Sequence, residues 1–343
     1  MSIVQNIVAK LQRHPKRIVF PEGGEARVIQ AARQFVALRM GVPVLLGNRV
    51  QIKDTAQRLD ISLQGIRVLD PERSDEMEGF VSKLAEMKRD TGMSEAGARA
   101  ALRDPNCFAA MMLLDAQAEA LVSGTTMPIA GVLRPLLQYI PMQENVLTAS
   151  SMTIIDFDEK KVGIGGSLFF ADCGVIPEPT AEQLCDIALT TANVAHHLTG
   201  ELPRVAMLSF ASHNESGHPS VSRMRHAAEL ARVKALSLGI VMEIDGELQV
   251  DSALDLLSAE QKRITSEVAG RANVLIFPDL NSGNIGYKLV HILAGAYAYG
   301  QVITGLSRPA VAVSRGASAH DILGAAAIVG CQAIDRRLLY GTP

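Results

Sequence analysis

From residue 17 onward, short apolar runs take turns with stretches of helical spacing, and this alternation limits the possible folds more than any other feature of the chain. RIVFPEG (Arg17–Gly23) leads into EARVIQAARQFVALRM, VPVLLG (Val42–Gly47) into a polar helix, and IRVLD (Ile66–Asp70) into charged helical residues near Glu76–Arg89. A helix containing FAAMMLLDAQ then precedes EALVSG (Glu119–Gly124), which is followed by the helical GVLRPLLQYI. Strands separated by helices predict a parallel sheet with crossover connections, an α/β fold.

The pattern changes near residue 147. SMTIIDF and VGIGGSLFFAD flank the polar turn DEKK and read as an antiparallel hairpin, the start of a second lobe. That lobe continues with a helix from Thr180 to Leu198, the strand RVAMLSF, the helix SRMRHAAELARVKAL, the strands IVMEIDG and ANVLIFPDL, and the helix GNIGYKLVHILAGA. QVITGL and PAVAVSRG are the last strands and SAHDILGAAAIVGCQAI the closing helix. At 343 residues the chain has the length of about two domains. Two α/β lobes with a cleft between them are expected, the chain returning to the first at its end.

Composition excludes some functions. A net charge of −3 with interspersed signs offers no basic surface for nucleic acid. Only 4% of residues are aromatic, so the cores must be aliphatic. Cys107, Cys173, Cys185 and Cys331 are scattered, without zinc spacing, as expected of reduced thiols. The N-terminal residues have helical spacing rather than a signal-peptide core, and no apolar run approaches the ~20 residues of a membrane helix. The expectation is a cytoplasmic, soluble protein.

In open α/β sheets ligands gather beyond the carboxyl ends of strands. Four such turns carry small polar residues: LVSGTT (with Ser123, Gly124, Thr125 and Thr126), PDLNSGN (with Asn281, Ser282, Gly283 and Asn284), SFASHNESGHP and VSRGAS. Each is suited to an anion, and each is equally an ordinary helix start. At VAVSRGASAHD, Arg315 has the planar fork that grips an anion, and Asp321 is a candidate general base beyond Ser314. Ser318 with Asp321 is also an S-x-x-D capping box, which needs no ligand. PEGGEARV is glycine-rich but lacks dinucleotide-loop spacing, and the nucleophile-elbow, HExxH and Walker patterns are absent. His196 and His197 read as solvated or capping residues, and His218 as a turn residue or a ligand contact. Cys173 follows a strand with no base beside it in sequence, so a packed thiol is the simpler reading.

The stretches PEGGEARVIQAA, DPNCFAAMM, LRPLLQ, FADCGVIPEPTAEQL, PRVAMLSF, DGELQVDSAL, LIFPDLNSGNIGYKL and SRGAS make the chain similar, nearly end to end, to the phosphate acetyltransferase (phosphotransacetylase) family. The resemblance implies two three-layer α/β/α lobes of isocitrate/isopropylmalate dehydrogenase-like topology. Residues 1–146 and 302–343 would form the first, and residues 147–301 the second, with a homodimer interface. It implies transfer of an acetyl or other short-chain acyl group between acyl phosphate and coenzyme A, releasing phosphate, with no resident cofactor. Asp321 would take the thiol proton, Arg315 would bind phosphate and developing charge, and Ser314 would donate a hydrogen bond. Arg134 and Arg27 fall on family arginines, and Ser123, Gly124, Thr125, Thr126, Asn281, Ser282, Gly283, Asn284, Lys288 and Cys173 complete the implied binding set. The chain departs from the family pattern after LVSG, where Met127 and its neighbours replace a His and a hydroxyl pair. It departs again at Ile292, where an arginine is usual and where Arg308 or His291 would have to compensate. A lost charge-assisted bond there is worth ~1.5 to 3 kcal/mol. The alternatives are a butyryl- or propionyltransferase, a weakly active CoA-binding regulatory relative, and a decarboxylating dehydrogenase, which would need a metal-binding aspartate set.

Overall fold

Strands with apolar residues on both faces have to lie between two layers of helices, and the first strands of this chain are of that kind. In the computed structural model, which describes residues 3–157, 162–213 and 217–334, the early elements are α1 (Ile3–Arg13), β1 (Lys16–Phe20), α2 (Ala26–Ala37), β2 (Gly41–Leu46), α3 (Arg49–Arg58), β3 (Arg67–Leu69), α4 (Glu76–Met87), α5 (Glu95–Ala101), α6 (Pro105–Leu114), β4 (Ala120–Ser123) and α7 (Ile129–Tyr139). After a long excursion the chain adds β11 (Ala310–Ala312) and α13 (Ala319–Gln332). Two compact units result: Ile7–Pro141 with the described residues from Leu306, and Met142–Gly305 with the first residues up to Asn6.

In the first unit the strand order is β3-β2-β1-β4-β11, parallel throughout. The order runs one way from β1 to β3 and the other way from β1 through β4 to β11, so the reversal lies between β1 and β4. Helix α13 packs on α2 and β4. Its run from Ile322 to Gln332 is buried, and small residues let it approach closely: a Cβ at Gly330 would stand 3.2 Å from a methyl of Leu11.

The second unit holds β5 (Ser150–Asp156), β6 (Ser167–Ala171), α8 (Ala181–Thr199), β7 (Arg204–Leu208), α9 (Pro219–Leu238), β8 (Glu243–Leu248), α10 (Val250–Leu254), α11 (Leu256–Gln261), β9 (Val274–Ile276), α12 (Leu280–Ala294) and β10 (Tyr297–Thr304). Its strand order is β10-β5-β6-β9-β7-β8. The expected hairpin is present, with β5 antiparallel to β6 from Met152↔Ala171 to Asp156↔Ser167; the DEKK turn itself lies outside the described residues. β10 is antiparallel to β5, while β6, β9, β7 and β8 are parallel. This sheet is therefore mixed, where strand–helix alternation alone would give a parallel one.

Candidate active site at the carboxyl edge of the first unit's sheet

Three neighbouring strands of the first unit, β1, β4 and β11, end side by side and each runs into a polar turn. The backbones approach closely there. Gly124 has φ +112°, and a Cβ on it would lie 2.4 Å from the Val313 carbonyl oxygen, so only glycine fits. The Val313 N–H donates to the Ser123 carbonyl at 2.7 Å, which ties the turn after β4 to the turn after β11.

The turn after β4 gathers its N–H groups around an anion, and that anion belongs to the protein. Glu22, in the turn after β1, accepts at Oε2 from the Gly124 and Thr125 N–H groups (2.8 and 2.7 Å) and from the Thr125 hydroxyl (2.6 Å). Its Oε1 accepts from the Thr126 N–H (2.7 Å) and hydroxyl (2.6 Å). Successive N–H groups of this kind form an anion-binding concavity. Burial pushes the Glu22 carboxyl up, but the hydroxyls and amides of Thr125 and Thr126 together outweigh it and hold the carboxyl below the ordinary glutamate range. Sequence reading recognised the anion-binding character of Gly124, Thr125 and Thr126 and offered it to a ligand; these donors instead serve a carboxylate 102 to 104 positions earlier. Ser123 is buried and donates to Asn106 Oδ1 at 2.7 Å, so its hydroxyl is likewise engaged internally.

Arg27 is also turned inward. Placed at the start of α2, it pairs through Nε with Glu25, the N-cap residue, at 2.7 Å. Its Nη1 donates to the carbonyls of Arg315 and Ala317, both at 2.8 Å, and its Nη2 to the Thr125 carbonyl at 3.2 Å. The fork that resemblance assigned to substrate therefore clamps two turns.

The turn it clamps contains Ser314 and Arg315. The Ala317 N–H closes on the Ser314 carbonyl at 2.9 Å, and the Gly316 N–H donates to Ser314 Oγ at 3.3 Å. Ser314 and Arg315 are exposed, and the Arg315 guanidinium has no hydrogen-bonding or ionic partner among the described residues. Ser318 then caps α13: its N–H and hydroxyl donate to Asp321 Oδ2 at 2.8 and 2.7 Å, and the Asp321 N–H returns to Ser318 Oγ at 3.1 Å. The capping box is thus formed, and the half-buried Asp321 is placed by it just beyond the Arg315 turn. Arg134 is exposed on α7 of the same unit.

The remaining candidates lie in the second unit. Asn281–Asn284 are helical, not a turn, because β9 stops at Ile276 and α12 begins at Leu280 with Asp279 as its cap, accepting from the Ser282 N–H at 2.9 Å. Ser282 Oγ donates to the Asp279 carbonyl at 2.9 Å, and Asn284 Nδ2 to the Cys173 carbonyl at 2.9 Å. Gly283 is required by contact, since a Cβ there would lie 2.2 Å from the Asp172 carbonyl oxygen. Asn281 and Lys288 are exposed. Cys173 is fully buried; burial, and then neighbouring Asp172, push its thiol far above the ordinary range. A sulfur in that position is packed within the protein, as the simpler reading of the sequence has it. Ile292 is 73% exposed; His291 Nδ1 contacts the Ala296 carbonyl (2.7 Å) and Arg308 Nε donates to the Leu113 carbonyl (3.0 Å), so both proposed substitutes have internal partners.

Other reactive types are structural. Cys107, Cys185 and Cys331 are each pushed up to about 11, mainly by burial. His196 meets the Glu201 carbonyl at 2.8 Å at the end of α8, and His218 caps α9 by accepting from the Ser220 N–H at 3.2 Å. Residues 214–216 of the SFASHNESGHP turn lie outside the described residues. Among the described residues no group of three or more His, Cys, Asp or Glu side chains is arranged for a metal ion, and no helix is long and apolar enough to cross a membrane.

Comparison with known proteins places this arrangement. The family model described as phosphate acetyl/butaryl transferase matches residues 2–330. The chain is 41% identical over 335 residues to a phosphate acetyltransferase of Thermoanaerobacterium thermosaccharolyticum, covering 97% of this chain and 100% of that one. It is 38% identical to a phosphate acetyltransferase of Acetivibrio thermocellus, covering 97% and 98%. Its fold is similar to the crystal structure of a phosphotransacetylase from Streptococcus pyogenes, with a TM-score of 0.88 at 32% identity over 97% of this chain and 98% of that one.

Proposed function

The chain belongs to the phosphate acetyl/butaryl transferase family, and from that membership we propose that it is a phosphate acetyltransferase, moving an acetyl group reversibly between acetyl phosphate and coenzyme A. In the forward direction the CoA thiol loses its proton to Asp321, the sulfur forms a bond to the acyl carbon, and the bond from that carbon to the phosphate oxygen breaks. Inorganic phosphate leaves, and the proton returns to solvent or phosphate. A thiol with a pKa near ~8.5 is mostly protonated at neutral pH, which is why a base accelerates the attack. The forked Arg315 guanidinium holds the phosphate and offsets charge on the acyl oxygen, and the Ser314 hydroxyl adds a donor. Arg134 adds positive charge for the phosphates of CoA. Arg27, Gly124, Thr125 and Thr126 are assigned to the scaffold of the site, because their donors already have partners within the protein.

The observation that carries the reading is the turn Ser314–Ala317, where an exposed arginine side chain without partners among the described residues rises from a backbone that is itself tightly held. The reading includes no resident cofactor, a cytoplasmic location, and a homodimer formed through the second unit. Apolar Val233 and Leu236 stand 70% and 81% exposed on α9, which supports that interface.

The test is CoA-thiol consumption with acetyl, propionyl and butyryl phosphate. Acetyl phosphate is expected to turn over fastest; a preference for butyryl phosphate would move the chain to the longer-chain branch. CoA binding with no turnover of any of the three would make it a regulatory relative. Arg315→Lys keeps the charge but loses the fork, and should lower kcat/KM for acetyl phosphate on the order of 10-fold or more. The buried cysteines contribute little background to such an assay.

A further inference from the structure

We propose that Glu22 is a positioning residue for the transferase reaction: its carboxylate fills the donor nest at Gly124–Thr126 and, through the Thr125 carbonyl and Arg27, fixes the backbone that presents Arg315. The inference rests on the transferase reading, since a fixed Arg315 matters catalytically only if that side chain holds phosphate.

The place is significant. The reversal of strand order between β1 and β4 marks the point where open α/β sheets usually admit a ligand. Here the two strands are bridged at that point by the protein's own carboxylate, with five donors on two oxygens. The bridge is anchored at its base. Gly23 N–H donates to the Leu46 carbonyl at the end of β2 at 3.0 Å, and a Cβ at Gly23 would lie 2.6 Å from that oxygen, so the turn carrying Glu22 is held against the sheet.

From the nest the linkage continues in covalent and hydrogen-bonded steps. Thr125 presents its N–H and hydroxyl to Glu22 and its carbonyl to Arg27, so a single residue joins the two charged groups. Arg27 then holds the carbonyls of Arg315 and Ala317, on either side of Gly316. Glu25, paired with Arg27 Nε, keeps that guanidinium level with the turn. Were the nest empty, its N–H groups would have to turn toward water, and the Thr125 carbonyl that holds one arm of Arg27 would turn with them. Neither Glu22 nor Arg27 need touch a substrate for this to matter, because a small misplacement of an anion-binding fork is costly to the rate.

The nest also predicts what replaces the missing carboxylate. In Glu22→Ala the five donors remain, and a small carboxylate from solution can occupy them. Formate is the appropriate probe, being planar, singly charged and no substrate. The experiment uses the full chain in buffer free of phosphate and acetate. Wild-type turnover of acetyl phosphate and CoA first tests the transferase reading by itself. In Glu22→Ala, kcat should fall on the order of 100-fold with KM for CoA unchanged, and formate at rising concentration should restore kcat. Amide hydrogen exchange supplies a readout independent of activity: residues 124–126 and 315–317 should both lose protection in the variant and both regain it with formate. Loosening confined to 124–126, an unchanged kcat, or a lost kcat that formate does not restore would each overturn the proposal. If Glu22→Ala does not fold, Thr126→Val removes one hydroxyl donor at nearly constant shape. Faster exchange at 315–317 supports the linkage in that variant, and wild-type exchange there refutes it.

Discussion

Asp321 carries two roles that substitution can separate. Its carboxylate completes the capping box with Ser318, and the proposed reaction asks it to accept a proton. Asp321→Asn retains an oxygen that can accept from Ser318 but loses the basic group. Turnover should fall on the order of 10²- to 10⁴-fold with CoA affinity little changed, and an unaltered rate would assign the proton transfer to another group. Ser318→Ala removes the cap alone, costing about 1 kcal/mol of stability in a denaturant titration, without abolishing proton transfer. Glu22 gives a prediction in pH. Its folded carboxyl lies below the ordinary range, so the stability it contributes is complete above the unfolded pKa of ~4.3 and is lost as pH falls through the lower folded value. Glu22→Gln should be less stable than wild type at pH 7, with the gap in urea midpoint closing as the solution is acidified below pH ~4. A gap that is constant with pH would show that the charge at Glu22 does not stabilise the fold. Ser314, Arg315 and Asp321 could be nominated from sequence because they lie within eight residues of one another, and the Ser318–Asp321 capping box beside them obeys a local rule. Glu22 could not, because its five donors are about a hundred residues away and no local pattern couples a PEGG turn to an SGTT turn.

Elements were readable where periodicity was long and missed where it was short or bland. Helices α8 and α9 repeat apolar residues over five turns, and the β5–β6 hairpin shows itself on either side of a polar turn. α5 has one buried residue, Ala98, and α10 and α11 have five and six residues each, so none offers a period to detect. The start of α12 was misplaced for a related reason. Asn, Ser and Gly usually signal a turn, but Asp279 caps the helix early, and Gly283 is there to clear the Asp172 carbonyl. At this scale the proposed dimer can be tested on α9. Leu236→Glu places a charge on an exposed apolar position, and light scattering should then report a monomer where wild type is a dimer. A dimer that survives the change would move the interface away from this helix.

The two units differ in how they are assembled from the chain. Apart from the first residues up to Asn6, the second unit is one continuous stretch, Met142–Gly305, with its own mixed sheet and its own core around Phe170, Leu208, Leu248 and Phe277. Expressed alone, this segment is expected to unfold cooperatively in urea with dispersed amide resonances; a broad transition without cooperativity would show that its core needs the rest of the chain. The other unit cannot be excised in this way, because β11 and α13 reach it only after the whole excursion. Arg27 lies 288 residues before the Arg315 carbonyl it holds. On the ribosome, β1 and β4 can pair long before β11 exists, leaving Arg27 Nη1 in water until Arg315 and Ala317 have been made. A nascent chain interrupted between β10 and Arg315 would hold every strand but β11 and no anion clamp, and on the proposed mechanism it would be an inert product rather than a leaky enzyme.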